Sequence, residues 1–275
     1  ARRAPHRLEQ QEQRGIRRVA GVAREPGPIA LSLPLHCSVA INRVLRGQGA
    51  RIGRGQAAQP RQVGDREVKA VLLDVDGVLF DSAEAIYQTF KTVLRERGLK
   101  CPSRGKTMKH FGLQVPPWLK EMGICSGTGI AREIEERFVD EFLPKHSAPE
   151  RGLVETLNAL RAKKIAVGVV TSQTKYQAEK SLKLVGFEFD CVVTGDDGKP
   201  KPAPDLLLNA LKKLGVKKKD AVYVGDTWVD VEAGRAAGVK TLILARPYNK
   251  GLPNRTRSLK RLIARRHTSN KIVIL

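Results

Sequence analysis

The sequence predicts an α/β protein, a doubly wound parallel sheet with a smaller helical segment inserted after the first strand. Three observations point there. Short aliphatic runs, of which Val71-Leu72-Leu73 is the first, read as strands buried on both faces. From about residue 151 such runs alternate with amphipathic helical patterns, as βαβ units do. Polar residues gather at the carboxyl ends of these runs, where open α/β sheets hold their ligands.

The first strand covers residues 69–75 and ends in Asp74-Val75-Asp76-Gly77. Two acids at i and i+2 add nothing to the packing of a buried strand, because an unpaired buried carboxylate costs on the order of several kcal/mol. Gly77 lets the backbone turn sharply. Residues 82–97 read as an amphipathic helix through Ala83, Ile86, Tyr87, Phe90, Val93 and Leu94, with Gly98 as its stop. Residues 99–128 read as irregular, broken by Pro102, Pro116, Pro117 and a Gly/Ser turn cluster. Ile130, Ile134, Phe138 and Phe142 mark a further helix, stopped near Pro144.

Leu153, Leu157 and Leu160 form one face of the next helix, and residues 165–170 are the second strand, ending at Thr171-Ser172. A helix over Lys175–Val185 stops at Gly186, and Cys191–Val193 is the third strand. Pro204 opens and Gly215 closes a helix that encloses residues 206–214. The fourth strand, 221–224, ends in Gly225-Asp226; a short helix ends at Gly238; residues 241–245 are the fifth strand. Leu259, Leu262 and Ile263 suggest a basic amphipathic helix, and 271–275 an edge strand or a loose apolar tail.

The chain of 275 residues holds no apolar run of about 20 residues, so no membrane helix is expected. Four cysteines (Cys37, Cys101, Cys125, Cys191) form no CxxC pair, which argues against a thiolate metal cluster or a disulfide framework and fits a reducing, cytoplasmic compartment. The net charge of +22 suggests a nucleic-acid partner until it is mapped along the chain. Residues 1–68 carry 13 Arg, no Lys and five acids, for +8. Residues 246–275 carry nine Lys/Arg and no acid, for +9. The middle is nearly balanced at +5. Residues 1–68 also lack Phe, Tyr and Trp, so they are expected to be disordered or foreign to the working protein, which would begin near Val68. A transit peptide would carry more Ser than Ser32 and Ser38.

Four strand ends make chemical sense together: Asp74 and Asp76; Thr171 and Ser172; Lys199-Pro200-Lys201-Pro202-Ala203-Pro204-Asp205; and Gly225-Asp226-Thr227-Trp228-Val229-Asp230. Carboxylates with no Cys or His beside them suit a hard cation such as Mg²⁺, which usually also binds substrate phosphate. One aspartate can attack phosphorus while a second carboxyl moves protons. A lysine and a hydroxyl can hold the phosphoryl oxygens.

In this order and spacing the segments DVDGVLFDS, TSQ, KPAPD and VGDTWVD resemble the motifs of the haloacid dehalogenase superfamily of phosphatases, over about residues 69–245. The pattern is similar to its phosphoglycolate phosphatase-like branch. The resemblance implies a Rossmann-like core from residues 69–81 and 150–250, a small α-helical cap at 82–149, and a basic C-terminal helix or tail at 251–275. It implies that Asp74 is nucleophile and metal ligand, and that Asp76 is the general acid/base with its carbonyl on the metal. Thr171, with Ser172, would bind the phosphoryl group, Lys201 would stabilise its charge, and Asp226 would ligate Mg²⁺. Asp230 and Gly77 would support the site. The implied activity is Mg²⁺-dependent hydrolysis of a small phosphorylated metabolite through an aspartyl-phosphate, with phosphoglycolate the leading substrate. A β-phosphoglucomutase-like phosphosugar mutase and a pyrophosphatase or nucleotidase are the rival enzymes. A basic nucleic-acid-binding protein on the same scaffold is the rival of another class.

Several residues have plainer readings. Lys199 competes with Lys201, but Lys201 fits the KPxPD pattern better. Asp196 and Asp197 read as a solvated turn, and Asp81 as the cap of the following helix. Lys106, Lys109, His110, Trp118 and Lys120 belong to the segment that would face the substrate, though none is singled out. No aromatic interleaves the basic residues 255–266, so a solvated helix face is favoured over nucleic-acid contact.

Overall fold

The computed structural model describes residues 68–124 and 128–259. All of these fall within one compact unit, Gln62–Leu275, and the other unit, Ala1–Arg61, lies outside them. The expectations for residues 1–67 and 260–275 therefore fall outside the described residues.

Six parallel strands form the sheet: β1 (Ala70–Leu73), β2 (Ala166–Val170), β3 (Cys191–Val193), β4 (Ala221–Gly225), β5 (Lys240–Leu244) and β6 (Arg255–Thr256), in the order β3-β2-β1-β4-β5-β6. The chain builds outward from β1 to β3, then returns to build β4 to β6 on the other side. The winding reverses between β1 and β4, and in such sheets the crevice lies there. Leu73 pairs with Val169 on β2 and with Val224 on β4, which brings the carboxyl ends of the central strands level.

Period-2 alternation serves both faces. Val71, Leu73, Val167, Val169, Val222 and Val224 join one core, which includes Leu153, Leu157 and Leu160 of α6 (Leu153–Ala162). Ala70, Leu72 and Tyr223 join the other, with Leu206 and Leu207 of α8 (Asp205–Leu214) and Ala233 of α9 (Trp228–Ala237). α7 (Lys175–Val185) starts where the sequence places it. Thr174 and Gln177 form a reciprocal capping box, and Gly186 stops the helix in the left-handed region.

Between β1 and α6 lies the helical segment. It comprises α1 (Ala83–Glu96), α2 (Arg104–Met108), α3 (Val115–Glu121) and α4 (Thr128–Arg137), which continues through a wide turn at Phe138–Phe142 into α5 (Leu143–His146). Ile86, Phe90, Val93 and Leu94 put one stripe of α1 into the core. Phe90 meets the Trp118 ring at 4.6 Å, and the indole N–H donates to Thr107 O. The two connections of the segment run side by side: Glu150 N donates to Leu79 O at 2.7 Å and Ser147 Oγ to Asp81 O at 3.0 Å.

Four details differ from expectation. The stretch read as irregular contains α2 and α3, because Pro116 and Pro117 sit in the first turn of α3, where a missing N–H costs nothing. Pro144 likewise sits in the first turn of α5, so the chain stays helical to His146. Ser82, not Asp81, is the residue before α1; the Asp81 carboxylate instead lies 3.5 Å from Arg246. β6 is two residues long, too short to show a period.

Candidate active site

Asp74 follows β1 directly, its N–H donating to Val224 O of β4, so it sits at the switch point and is almost fully buried. Oδ1 accepts from the N–H of Val75 at 2.8 Å, and Oδ2 lies 2.7 Å from Lys201 Nζ. Lys201 reaches the same place from the loop before α8 and is 3 % exposed. Its ammonium also donates to Asp230 Oδ1 (2.7 Å) and the Tyr223 hydroxyl (2.9 Å). Lys199 stays exposed, so the choice between the two lysines falls on Lys201.

Asp230, in the first turn of α9, holds this end of the sheet together. Oδ1 takes Lys201 and Tyr223, and Oδ2 takes the N–H of Asp226, the N–H of Thr227 and the Thr227 hydroxyl. Burial works against its charge, but Lys201 and these donors win and hold its carboxyl below the usual carboxylate range. Its neighbours behave in the opposite way. Burial pushes Asp74 up to about 7 in spite of Lys201. Burial, Asp230 and Asp74 together push Asp226 well above its ordinary value. Lys201 is raised, because the attraction of Asp230 and Asp74 outweighs its own desolvation.

Asp76 is held by Gln173, whose amide donates to Oδ2 at 2.9 Å, while burial raises its pKa. Thr171 Oγ1 accepts from the N–H of Gln173 at 3.1 Å, which leaves its hydroxyl hydrogen available. Ser172 Oγ, Gln173 Oε1, Asp76 Oδ1 and Asp226 Oδ1 are buried with no hydrogen-bond partner. Buried polar atoms are normally paired, so this group is shaped for something the chain does not itself supply. Carboxylate oxygens of Asp74, Asp226 and Asp230 lie within 4.8 Å of one another. An all-oxygen donor set of this kind fits a hard cation such as Mg²⁺. Asp196 and Asp197 stay in their turn, where Asp197 accepts from Thr194 N and Asp196 from Lys175 N.

A fifth strand end also reaches the site, through residues the sequence reading passed over. Tyr248 donates its hydroxyl to Asp226 Oδ2. Asn249 Nδ2 donates to Asp226 O and Leu244 O. Arg246 donates to Gly77 O at 2.9 Å and pairs with Glu150. The available signal was position: Arg246-Pro247-Tyr248-Asn249 follows β5 as the other polar groups follow their strands. Gln173, inside the TSQ segment, and Tyr223, a hydroxyl in an apolar strand, were visible in the same way.

The crevice opens from Asp74 toward the helical segment. There Phe111, Leu113, Gln114, Trp118, Glu135 and Phe138 face Thr171, Ser172 and Gln173. Of the five residues noted in this segment, Trp118 alone lines the crevice. Burial, with Asp196 and Glu136 close by, raises the pKa of Glu135.

Residues 71–244 match the family described as haloacid dehalogenase-like hydrolase. The phosphoglycolate phosphatase of Aquifex aeolicus is 30 % identical over 193 residues, 66 % of this chain and 87 % of that protein. Pyrophosphatase PpaX of Bacillus velezensis is 33 % identical over 186 residues, 64 % of this chain and 83 % of that one. CbbY of Rhodobacter sphaeroides, solved in complex with xylulose-(1,5)bisphosphate, superposes with a TM-score of 0.63 at 20 % identity, covering 71 % of this chain and 96 % of that one. At that identity the likeness shows the fold. Sheet order, strand-end chemistry and sequence agree: the chain belongs to the haloacid dehalogenase-like hydrolases and is an enzyme of their phosphatase kind.

Proposed function

We propose that this protein is a Mg²⁺-dependent phosphatase of small phosphomonoesters, acting through a phosphoaspartate on Asp74. One observation carries the reading. Asp74 lies at the switch point with its carboxylate pinned by Val75 N–H and Lys201, beside buried oxygens of Asp76 and Asp226 that have no partner. Residues 82–149 are the cap in this reading, and residues 69–81 and 150–250 the core.

A carboxylate oxygen of Asp74 attacks phosphorus, and the bond to the ester oxygen breaks. Asp76 donates its proton to the departing alkoxide, then takes one from the water that attacks the phosphoaspartate, which frees phosphate and restores Asp74. Burial raises the Asp76 pKa, the direction a general acid needs. The Thr171 and Ser172 hydroxyls hold the phosphoryl oxygens, and the Lys201 ammonium beside Asp74 stabilises their charge. Asp74, Asp226 and the Asp76 carbonyl would hold Mg²⁺, which when bound neutralises phosphoryl charge. Asp230 sets Lys201 and the turn at Asp226–Thr227 in place.

The test is phosphate release by the full chain over a panel that includes p-nitrophenyl phosphate, pyrophosphate and 2-phosphoglycolate, with Mg²⁺ and with EDTA. Turnover should require Mg²⁺ and return when it is restored. Asp74→Asn should leave less than about 1 % of the rate, since removal of a covalent nucleophile typically costs several orders of magnitude. Full activity in chelator, or an active Asp74→Asn, would refute the mechanism.

A further inference from the structure

The crevice narrows the substrate class. Its catalytic end is polar, and its far end, under the helical segment, has a different chemistry. The walls there are largely apolar, with Phe111, Trp118 and Phe138 among them, and the polar groups are Gln114, Gln177 and Glu135. Among the described residues, Lys201 is the one cation that lines the crevice. Its ammonium is already held by Asp74, Asp230 and Tyr223 beside the phosphate position. Lys106, Lys109 and Lys120 are exposed and do not line it. Glu135 makes no hydrogen bond or ion pair among the described residues, although it is half-buried and its carboxyl is raised by burial, Asp196 and Glu136. Gln177 has its carbonyl oxygen engaged by Thr174, and Gln114 donates to Ser172 O, which leaves an amide oxygen of Gln114 as a further acceptor.

We infer that the enzyme takes phosphomonoesters whose alcohol part is free of anionic groups and donates hydrogen bonds, and that it rejects esters bearing a second carboxylate or phosphate. The inference rests on the phosphatase reading above and specifies its substrate. A second anion at the far end would be desolvated against Glu135 with no counter-charge in reach, an arrangement that selects by repulsion. Hydroxyl or ammonium hydrogens would instead pair with Glu135 and with the Gln114 amide oxygen, and an ammonium would also relieve the unpaired carboxyl.

Matched esters test this on the full chain with Mg²⁺. Glycerol 3-phosphate and 3-phosphoglycerate differ by a hydroxymethyl group in place of a carboxylate. Phosphoethanolamine and 2-phosphoglycolate differ by an aminomethyl group in place of a carboxylate. The expected result is a kcat/KM higher by about tenfold or more for the non-anionic member of at least one pair, as a mispaired polar contact commonly gives. Whichever pair shows it also tells a hydroxyl donor from an ammonium. Glu135→Lys should lower that ratio about tenfold or reverse it, and Glu135→Gln should reduce it by less. Equal or better turnover of the carboxylate member in both pairs overturns the inference while leaving the phosphatase reading intact. No Mg²⁺-dependent release from p-nitrophenyl phosphate overturns the phosphatase reading, and this inference with it.

Discussion

Both oxygens of Asp230 are committed to groups of the chain itself, five donors in all. Although its carboxylate lies within 4.8 Å of Asp74 and Asp226, it has no lone pair left for a cation. Asp226 is the reverse. Tyr248 occupies Oδ2, and Oδ1 is buried and unpaired, so one oxygen is turned inward and kept open. In the proposed mechanism Tyr248 is thus a positioning residue for the metal ligand, with its ring also against Phe111 of the helical segment at 5.3 Å. Tyr248→Phe should weaken Mg²⁺ binding by about tenfold, the lower end for partners that orient metal ligands. Calorimetric Mg²⁺ titration checks it, and an unchanged affinity would remove Tyr248 from this role. Asp74, Asp76, Lys201, Asp226 and Asp230 were legible in the sequence because polar residues at the ends of buried strands have no packing reason to be there. Gln173, Tyr223 and Tyr248 carried only the weaker signal of position, because each is an ordinary residue until the fold aims its polar tip at a carboxylate.

The turn after β1 shows what one element must do for the site. Val75 O accepts from the N–H groups of Val78, Leu79 and Phe80, a tight turn that carries the chain from β1 to the helical segment. Gly77 makes it with φ at +71°, and a Cβ there would meet Asp226 Oδ2 at 2.0 Å. Gly77→Ala should therefore destabilise the protein by about 1–3 kcal/mol and impair Mg²⁺ binding as Asp226 is displaced. Denaturant unfolding with a parallel Mg²⁺ titration measures both, and a neutral substitution would contradict the close approach. Elements with strong local signals were legible: α7 with its Thr174–Gln177 box, α8 between Pro204 and Gly215, and the buried runs of β1 and β4. α2 and α3 were not, since five and seven residues are too few to show a helical period. Their helicity comes from packing, with Trp118 buried between Phe90 and Phe111.

Over the whole molecule, the acidic centre sets how stability should answer to pH and metal. Asp74, Asp76 and Asp226 have raised folded pKa values. Without a cation their contribution is complete below the unfolded value of about 4 and is lost as pH rises through the folded values, about 7 for Asp74. Asp230, held low by Lys201, contributes in the opposite sense, above its unfolded value. A bound cation needs the ionised forms, so its stabilisation should grow with pH. Mg²⁺ at a hundredfold over its Kd should raise Tm by about 5–10 °C near pH 8, with a clearly smaller rise at pH 5. Scanning calorimetry against an EDTA control decides it, and equal shifts at both pH values would count against carboxylate ligation. No described helix is long and apolar enough to cross a membrane. The sequence by itself determined the alternation of strand and helix and the acids, lysine and hydroxyls at four strand ends, because burial on both faces and the cost of buried charge act locally along the chain. Only the tertiary structure decided which acid is saturated and which stays open. It also decided that a fifth strand end reaches the site and that an unpaired glutamate lines the crevice, where Lys201 is the one cation among the described residues. Those facts depend on where distant side chains point, and no spacing along the chain encodes that.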